Sequence, residues 1–314
     1  MKMYSAKGGE LQPSEDSKLK DAIWIDAVAP TPEEVEYLHK EFELDLQDVA
    51  DCLDPNERSR VELEETYDLL VMRTLLADER DEVHRGRIQT MPIGIFITKN
   101  KAVTVRIGSS FTCQELTSDL KRKPKIESKE DVFLMLIRRV NKDIERRVRP
   151  MERTIASYQE KILTAEREEI APHAFALSNE LILLNTALLS NLNAFSMIAR
   201  AKHLKLNKDK IDLFEDIEND VAQLYEMTTT YREIMSNVLD AYESALANSL
   251  STVMKTLTTI SLILFIPIMI TALFSMNLVL PLGNEDPNAF WVVVVISAVA
   301  VFGMWIAFRM KHIL

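Results

Sequence analysis

The sequence predicts an α+β membrane protein: an N-terminal cytoplasmic α/β domain, a long helical stalk and a C-terminal hairpin of two transmembrane helices. Three observations carry this prediction. The first third of the 314-residue chain alternates strand-like and helix-like patterns, the middle is helical, and the far end holds two apolar runs, Thr256 to Phe274 and Ala289 to Phe308, without a single charge. At ~1.5 Å rise per residue, about 20 apolar residues cross a hydrocarbon core of ~30 Å. Buried helices of a soluble protein seldom run so long uncharged.

Bulk properties narrow the partners. The chain carries 37 basic and 48 acidic side chains, a formal net charge of −11, which excludes a nucleic-acid partner and favours cations. Cys52 and Cys113 are too few for a disulfide framework or a paired-cysteine zinc site, and both read as ordinary thiols of a reducing compartment. The N-terminal stretch "MKMYSAKGGELQPSEDSKLK" has no apolar core of the kind a secretory signal needs. The first part of the chain is therefore expected to stay in the cytoplasm.

Taking the elements in order, "AIWIDAV" (Ala22 to Val28) reads as a strand. "TPEEVEYLHKEF" (Thr31 to Phe42) reads as a helix with Thr31 as N-cap, Pro32 in the first position and Glu34 three residues after the cap. A second helix is predicted from near Leu46. "YDLLVMRTLLAD", "MPIGIFITKN" and "KAVTVRIG" read as strands from their β-branched content and length, the last two forming a hairpin at Lys99-Asn100-Lys101. From Ser128 to about Glu168 the residues Val132, Met135, Leu136, Val140, Ile144 and Val148 recur at helical spacing, with a kink expected at Pro150. A second long helix is predicted over roughly Ala171 to Leu206, returning antiparallel. A third starts near Lys208 and meets no Gly or Pro until Pro267, so one helix is expected to run from the cytoplasm into the bilayer. The division that follows is 1–126 α/β domain, 127–206 antiparallel helices, 207–275 stalk and first span, 276–288 outer loop, 289–308 second span and 309–314 basic tail.

Charge sets the expected orientation. Lys255 precedes the first span and Arg309 and Lys311 follow the second, while the connector carries Glu285 and Asp286 and no basic residue. The positive-inside rule then places both termini in the cytoplasm of a cell-membrane protein in contact with lipid. On the stalk, Asp212, Glu215, Asp216, Glu218, Asp220 and Glu226 fall in a stretch without a basic residue. Such a stretch is either a solvated helix face or a subunit boundary whose carboxylates are bridged by hard cations.

Within the first span, Ser251, Met254, Thr258, Ser261, Phe265, Ile268, Ala272 and Ser275 follow one another at alternating steps of three and four. Small and hydroxyl residues on one seam suit close packing with a neighbouring helix or the wall of an aqueous path. Leu262, Ile263, Ile266 and Ile270 fall on the other side, suited to lipid. In the pore reading, Met254 and Leu257 form an apolar constriction that gates by dewetting.

"NSLSTVMKTLTTISLILFIPIMITALFSMNLVLP" (Asn248 to Pro281) resembles the signature of the CorA family of magnesium channels: Met254 to Thr258, the mid-span Pro267, the Met276-Asn277 ending and a short loop into a second span. "NEDPNAFW", "RVELEETYDLLVMRT" and "GIFITKNKAVTVR" resemble that family too. The resemblance implies a homopentameric funnel in which Ser275, Met276 and Asn277 stand at the family's Gly-Met-Asn selectivity loop, with serine in place of glycine, and Ser251 stands where many members have asparagine. An asparagine carbonyl suits a hydrated Mg²⁺, which sheds its water reluctantly. It further implies Mg²⁺ bound between cytoplasmic domains to close the pore, a role that falls by position to Asp216 and Asp78, with Asp212 and Asp220 as alternatives.

The expected activity is passive Mg²⁺ uptake, with Mg²⁺ as both transported and regulatory ion and no cofactor. Transport of Zn²⁺, Co²⁺ or Ni²⁺ is the alternative within the class, because relatives such as ZntB differ at the same trio and handle Zn²⁺. A non-conducting, membrane-anchored cation sensor or scaffold is the alternative outside it. No P-loop, no histidine pair at metal-ligand spacing and no nucleophile with a base appears, so an enzyme is not expected.

Overall fold

Seven strands make one mixed sheet: β1 (Lys2–Lys7), β2 (Glu10–Ser14), β3 (Trp24–Val28), β4 (Arg60–Leu63), β5 (Tyr67–Leu76), β6 (Gln89–Thr98) and β7 (Ala102–Arg106), in the order β2-β1-β3-β7-β6-β5-β4. The computed structural model describes residues 1–7, 10–14, 22–76, 89–108, 125–162, 170–201, 206–276 and 288–310. Every neighbouring pair of strands is antiparallel except β3 and β7. β3, β5, β6 and β7 fall on the runs that read as strands, and the Thr98 N–H donates to the Lys101 carbonyl at 2.9 Å to close the hairpin.

β1, β2 and β4 escape the sequence reading because they are short and polar. In β1 the core-facing positions are Met3 and Ser5, so a serine hides the alternation. β2 contains Pro13, which a sheet tolerates on an edge strand, and β2 is an edge.

One face of the sheet is covered by α1 (Pro32–Phe42) and α2 (Leu46–Asp51), whose Leu38 and Val49, with Leu44 and Cys52, join Ile25, Val71, Phe96 and Val103 in a common core. The capping box expected at Thr31 forms: the Glu34 N–H donates to Thr31 Oγ1 at 3.3 Å and the Thr31 N–H to Glu34 Oε2 at 3.0 Å. The other face is covered by α3 (Lys129–Val148), against β5, β6 and β7, and by α5 (Ile170–Ala201), against β4, β5 and β6. On that face, Arg106 Nη2 donates to Asp26 Oδ2 at 2.8 Å, with side-chain exposures of only 5% and 1%. Thr104 donates to the same carboxylate, and Trp24 Nε1 donates to Thr104 Oγ1.

Pro150 breaks the predicted single helix rather than bending it. α3 ends at Val148 and α4 (Met151–Ile162) begins after it, because proline has no N–H to give and its ring crowds the preceding turn. Two further helices complete the described chain, α6 (Lys208–Phe274) and α7 (Ala289–Met310). The beginning of α6 is held by Phe214, stacked on Phe133 and edge-on to Phe195, and by the Lys210–Asp131 ion pair at 2.7 Å. The chain thus divides into Met1–Leu239 and Asp240–Leu314, with α6 passing from the first unit into the second.

Among the described residues, three helices are long and apolar enough to cross a membrane: Ile170–Ala199, Lys208–Phe274 and Phe290–Met310. The first was not read as a span from the sequence, and half of its most apolar stretch is buried within the chain, including Leu181, Leu184, Leu188 and Phe195. The other two bury almost none of theirs.

Gly94 meets Cys52 across the α2 face, and a methyl group there would overlap Cys52 Sγ. Gly94→Ala is expected to lower stability by about 1–3 kcal/mol, the usual cost of overpacking. Cys52→Ala in the same chain should recover most of it. Urea unfolding of the three variants checks both statements, and an additive double mutant would place the strain elsewhere.

Candidate cation pathway and regulatory carboxylates

The second unit consists, among the described residues, of the end of α6 and all of α7. Each helix bears one stripe of reduced exposure. On α6 it is Thr259, Ile263, Ile266, Ile270 and Phe274; on α7 it is Val293, Ser297, Val301, Met304 and Phe308. Thr259 is only 3% exposed. Ile263, Ile266 and Ile270 are therefore half-buried within the chain, whereas Leu262, read with them as suited to lipid, is exposed. Their covered position follows from period: the stripe repeats at steps of three and four, as a helix leaning on a neighbour requires.

The seam picked out from the sequence lies elsewhere. At ~100° per residue, Ser251, Met254, Thr258, Ser261, Phe265, Ile268, Ala272 and Ser275 fall about half a turn round the helix from the covered stripe. All are exposed, as is Leu257. Apart from Ser275 at the helix end, the hydroxyls divide along the same line. Thr252, Thr256, Thr259 and Thr271, off the seam, each donate to the backbone carbonyl four residues earlier, at 2.8–3.0 Å. That arrangement hides a hydroxyl in an apolar setting. Ser251, Thr258 and Ser261, on the seam, have no hydrogen-bond partner among the described residues.

Ser275 closes the helix. Its N–H donates to the Thr271 carbonyl at 3.0 Å and its Oγ to the Ala272 carbonyl at 2.9 Å. Among the described non-glycine residues only Ala29 and Glu43 have positive φ, so serine meets no backbone angle reserved for glycine at this position. Met276 is exposed beside it, and Asn277 lies outside the described residues. Pro267 sits inside α6, which continues to Phe274.

The regulatory candidates are spaced one turn apart on the part of α6 within the first unit. Asp212, Asp216 and Asp220 are all exposed, and Asp78 lies outside the described residues. The Asp220 carboxyl is pushed above its ordinary range, first by partial desolvation and then by the like charges of Glu145 and Asp216; Arg138 and Arg149 oppose the shift. Crowded carboxylates of this kind are relieved by a proton or a cation. No cluster of three metal-ligating side chains occurs among the described residues of a single chain.

The sign of the Asp220 effect is fixed by the shift. A carboxyl whose folded-state pKa is raised weakens the fold when ionised, and the penalty fades as pH falls through that raised value. Asp220→Asn is thus expected to raise the thermal midpoint at pH 7, with the difference closing as pH is lowered towards 3.8, the carboxyl's ordinary value. A midpoint difference that does not depend on pH would contradict this.

Sequence reasoning missed Glu145 and Arg138, which act on Asp220 from α3, more than 70 positions earlier in the chain. The only available signal was the helical period of α3, which locates its buried stripe but not the helix facing its polar side.

Comparison with known proteins gives consistent results. A protein-family model described as CorA-like Mg²⁺ transporter protein matches residues 20–310. The cobalt/magnesium transport protein CorA of Methanocaldococcus jannaschii is 28% identical over 295 residues, covering 91% of this chain and 90% of that one. The complete structure of the CorA magnesium transporter from that organism superposes with a TM-score of 0.83 at 24% identity, covering 98% of this chain and 96% of that chain. The full-length CmaX protein superposes with a TM-score of 0.76 at 18% identity, covering 99% and 97%. The two superpositions show the fold.

Proposed function

The chain belongs to the family of CorA-like Mg²⁺ transporter proteins, and from that premise we propose that it is a homopentameric channel through which Mg²⁺ enters the cell passively. Divalent-cation transport is the family's activity. The pentamer, the path and the gate are this proposal's additions. α6 and α7 span the bilayer with both termini in the cytoplasm, and the α6 seam faces the axis.

The observation that carries the reading is the division of hydroxyls on α6. Those off the seam are turned back onto their own helix, as is Ser275 at its end, and Ser251, Thr258 and Ser261 are left to bond outward from an exposed face. One hairpin cannot enclose water; copies arranged around an axis can. Met254 and Leu257 then narrow the inner end, and the amide of Asn277 receives the hydrated ion at the outer end. Two charges moved through 100 mV gain about 4.6 kcal/mol, so the membrane potential alone drives entry.

Closure is assigned to Mg²⁺ held between neighbouring subunits by Asp216, with Asp212, Asp220 and Asp78 as further donors. The support is the crowding that raises Asp220 beside Asp216 and Glu145. Zn²⁺, Co²⁺ and Ni²⁺ are the competing cargoes, because Ser275 replaces glycine beside the proposed selectivity residues.

Liposomes containing the purified protein test the reading under an imposed inside-negative potential. Mg²⁺ influx should appear with the potential and vanish without it. Passage of neither Mg²⁺ nor Zn²⁺ would remove the channel reading, and Zn²⁺ alone would reassign the ion. In the same assay, Asp216→Ala should keep conducting at a Mg²⁺ concentration on the cytoplasmic face that closes the parent.

A further inference from the structure

A cavity of about 220 Å³ opens within the first unit, between α3 and the early part of α6. Asn141 lines it and is 4% exposed, and neither its Nδ2 nor its Oδ1 has a hydrogen-bond partner among the described residues. Buried amides are normally satisfied on both atoms. Here one donor and one acceptor border the same space.

Basic side chains outnumber acidic ones on the lining itself, Arg138, Arg139, Lys142 and Arg149 against Glu145 and Asp220. Arg139 is paired with Asp143 at 3.2 Å and Arg149 with Glu145. Arg138, which is exposed, and Lys142, which is half-buried, also line the cavity and form no salt bridge among the described residues; Asp220 borders the same space from α6, with Asp216 near enough to act on it. Water would satisfy Asn141; an anion would in addition meet Arg138 and Lys142.

We propose that this cavity binds a small polyvalent oxyanion, held by Arg138 and Lys142 and fixed by a hydrogen bond from Asn141 Nδ2. Arginine and lysine beside a neutral donor are the usual means of holding phosphate or carboxylate groups. Asn141 Oδ1 and Asp220 accept from a hydroxyl of the same ligand. The volume is about seven times the ~30 Å³ share of one water molecule. It falls below the ~300–1,000 Å³ of sites that enclose drug-sized molecules. A nucleotide is thus too large, and an anion the size of pyrophosphate or citrate fits. The proposal does not depend on the transport reading, and it is tested without measuring flux.

Titration calorimetry on the full-length protein in detergent, in Mg²⁺-free buffer, provides the test, with pyrophosphate and citrate in separate arms and chloride at matched ionic strength as control. Saturable binding above the chloride control is expected. The arm that binds more tightly identifies a phosphorylated or a carboxylate ligand. Arg138→Ala with Lys142→Ala should weaken binding at least about tenfold, and Asn141→Leu should weaken it by a similar factor with the unfolding midpoint retained. Binding in neither arm overturns the proposal, as does binding that survives all three substitutions. An Asn141→Leu protein that is stabilised while binding is undiminished would show that Asn141 meets only water.

Discussion

Ser261→Arg is expected to reduce Mg²⁺ influx into proteoliposomes by a factor on the order of 10² or more while leaving the assembled protein intact. Ser261 is exposed on the α6 seam, about half a turn from the covered stripe that contains Thr259 and Ile263. If copies of the seam enclose the path, arginine brings one positive charge per subunit to within about 6 Å of a doubly charged ion. Even at the dielectric of bulk water that costs ~1.4 kcal/mol per subunit, or roughly 7 kcal/mol for five, before salt screening reduces it.

Ser261→Asn, which adds no charge, should conduct like the parent. The pair of variants also separates the pore reading from a lipid-facing seam. Arginine in lipid costs about 2.5–3.5 kcal/mol per helix at insertion, so a lipid-facing Ser261 would show itself as lost protein in the membrane rather than lost flux. Normal assembly with undiminished influx would show that Ser261 does not line the path.

Asp26→Ala is expected to destabilise the first unit by about 3–5 kcal/mol, the cost of taking the carboxylate out of a buried ion pair. Arg106 is nearly inaccessible, and two of its guanidinium nitrogens donate to Asp26, Nε at 3.1 Å and Nη2 at 2.8 Å. Removing the carboxylate also strips Thr104 of the oxygen to which its hydroxyl donates at 2.8 Å. Asp26→Leu combined with Arg106→Met should recover most of the loss, since apolar pairs of similar volume replace buried ion pairs at little cost. Urea unfolding of the detergent-solubilised chain measures both effects. A loss below about 1 kcal/mol for Asp26→Ala would mean that water reaches the pair.

The legible parts of this protein are those with a local cause. Thr31, Pro32 and Glu34 announce the start of α1 because a capping box spans only four residues, and the box is formed. The α6 seam is legible for the same reason: its spacing of three and four puts hydroxyls on one side of any helix, whatever surrounds it. Pro150 was legible as a disturbance, and the break between α3 and α4 is its full expression.

Other features have partners far away in sequence. Asp26 and Arg106 are 80 positions apart and meet only because β3 and β7 pair in parallel, a register that neither strand encodes by itself. Ser5 and Pro13 disguise β1 and β2, and the rest of the sheet supplies the pairing that their own composition does not suggest. Ser275 shows the reverse case. Serine stands where the family has glycine, and at the helix end it has no positive φ and donates its hydroxyl to the Ala272 carbonyl.

By itself, the sequence determined two uncharged runs long enough to span a bilayer, the hydroxyl seam within the first, and the acidic turns at Asp212, Asp216 and Asp220. These depend on composition and helical period, which act over a few residues. Only the tertiary structure decided which side of α6 is covered, which hydroxyls are left to bond outward, and that Glu145, Arg138 and Asn141 stand opposite Asp220 across one cavity. The reason is physical: exposure and field at a side chain are set by the elements packed against it, and those elements come from distant parts of the chain.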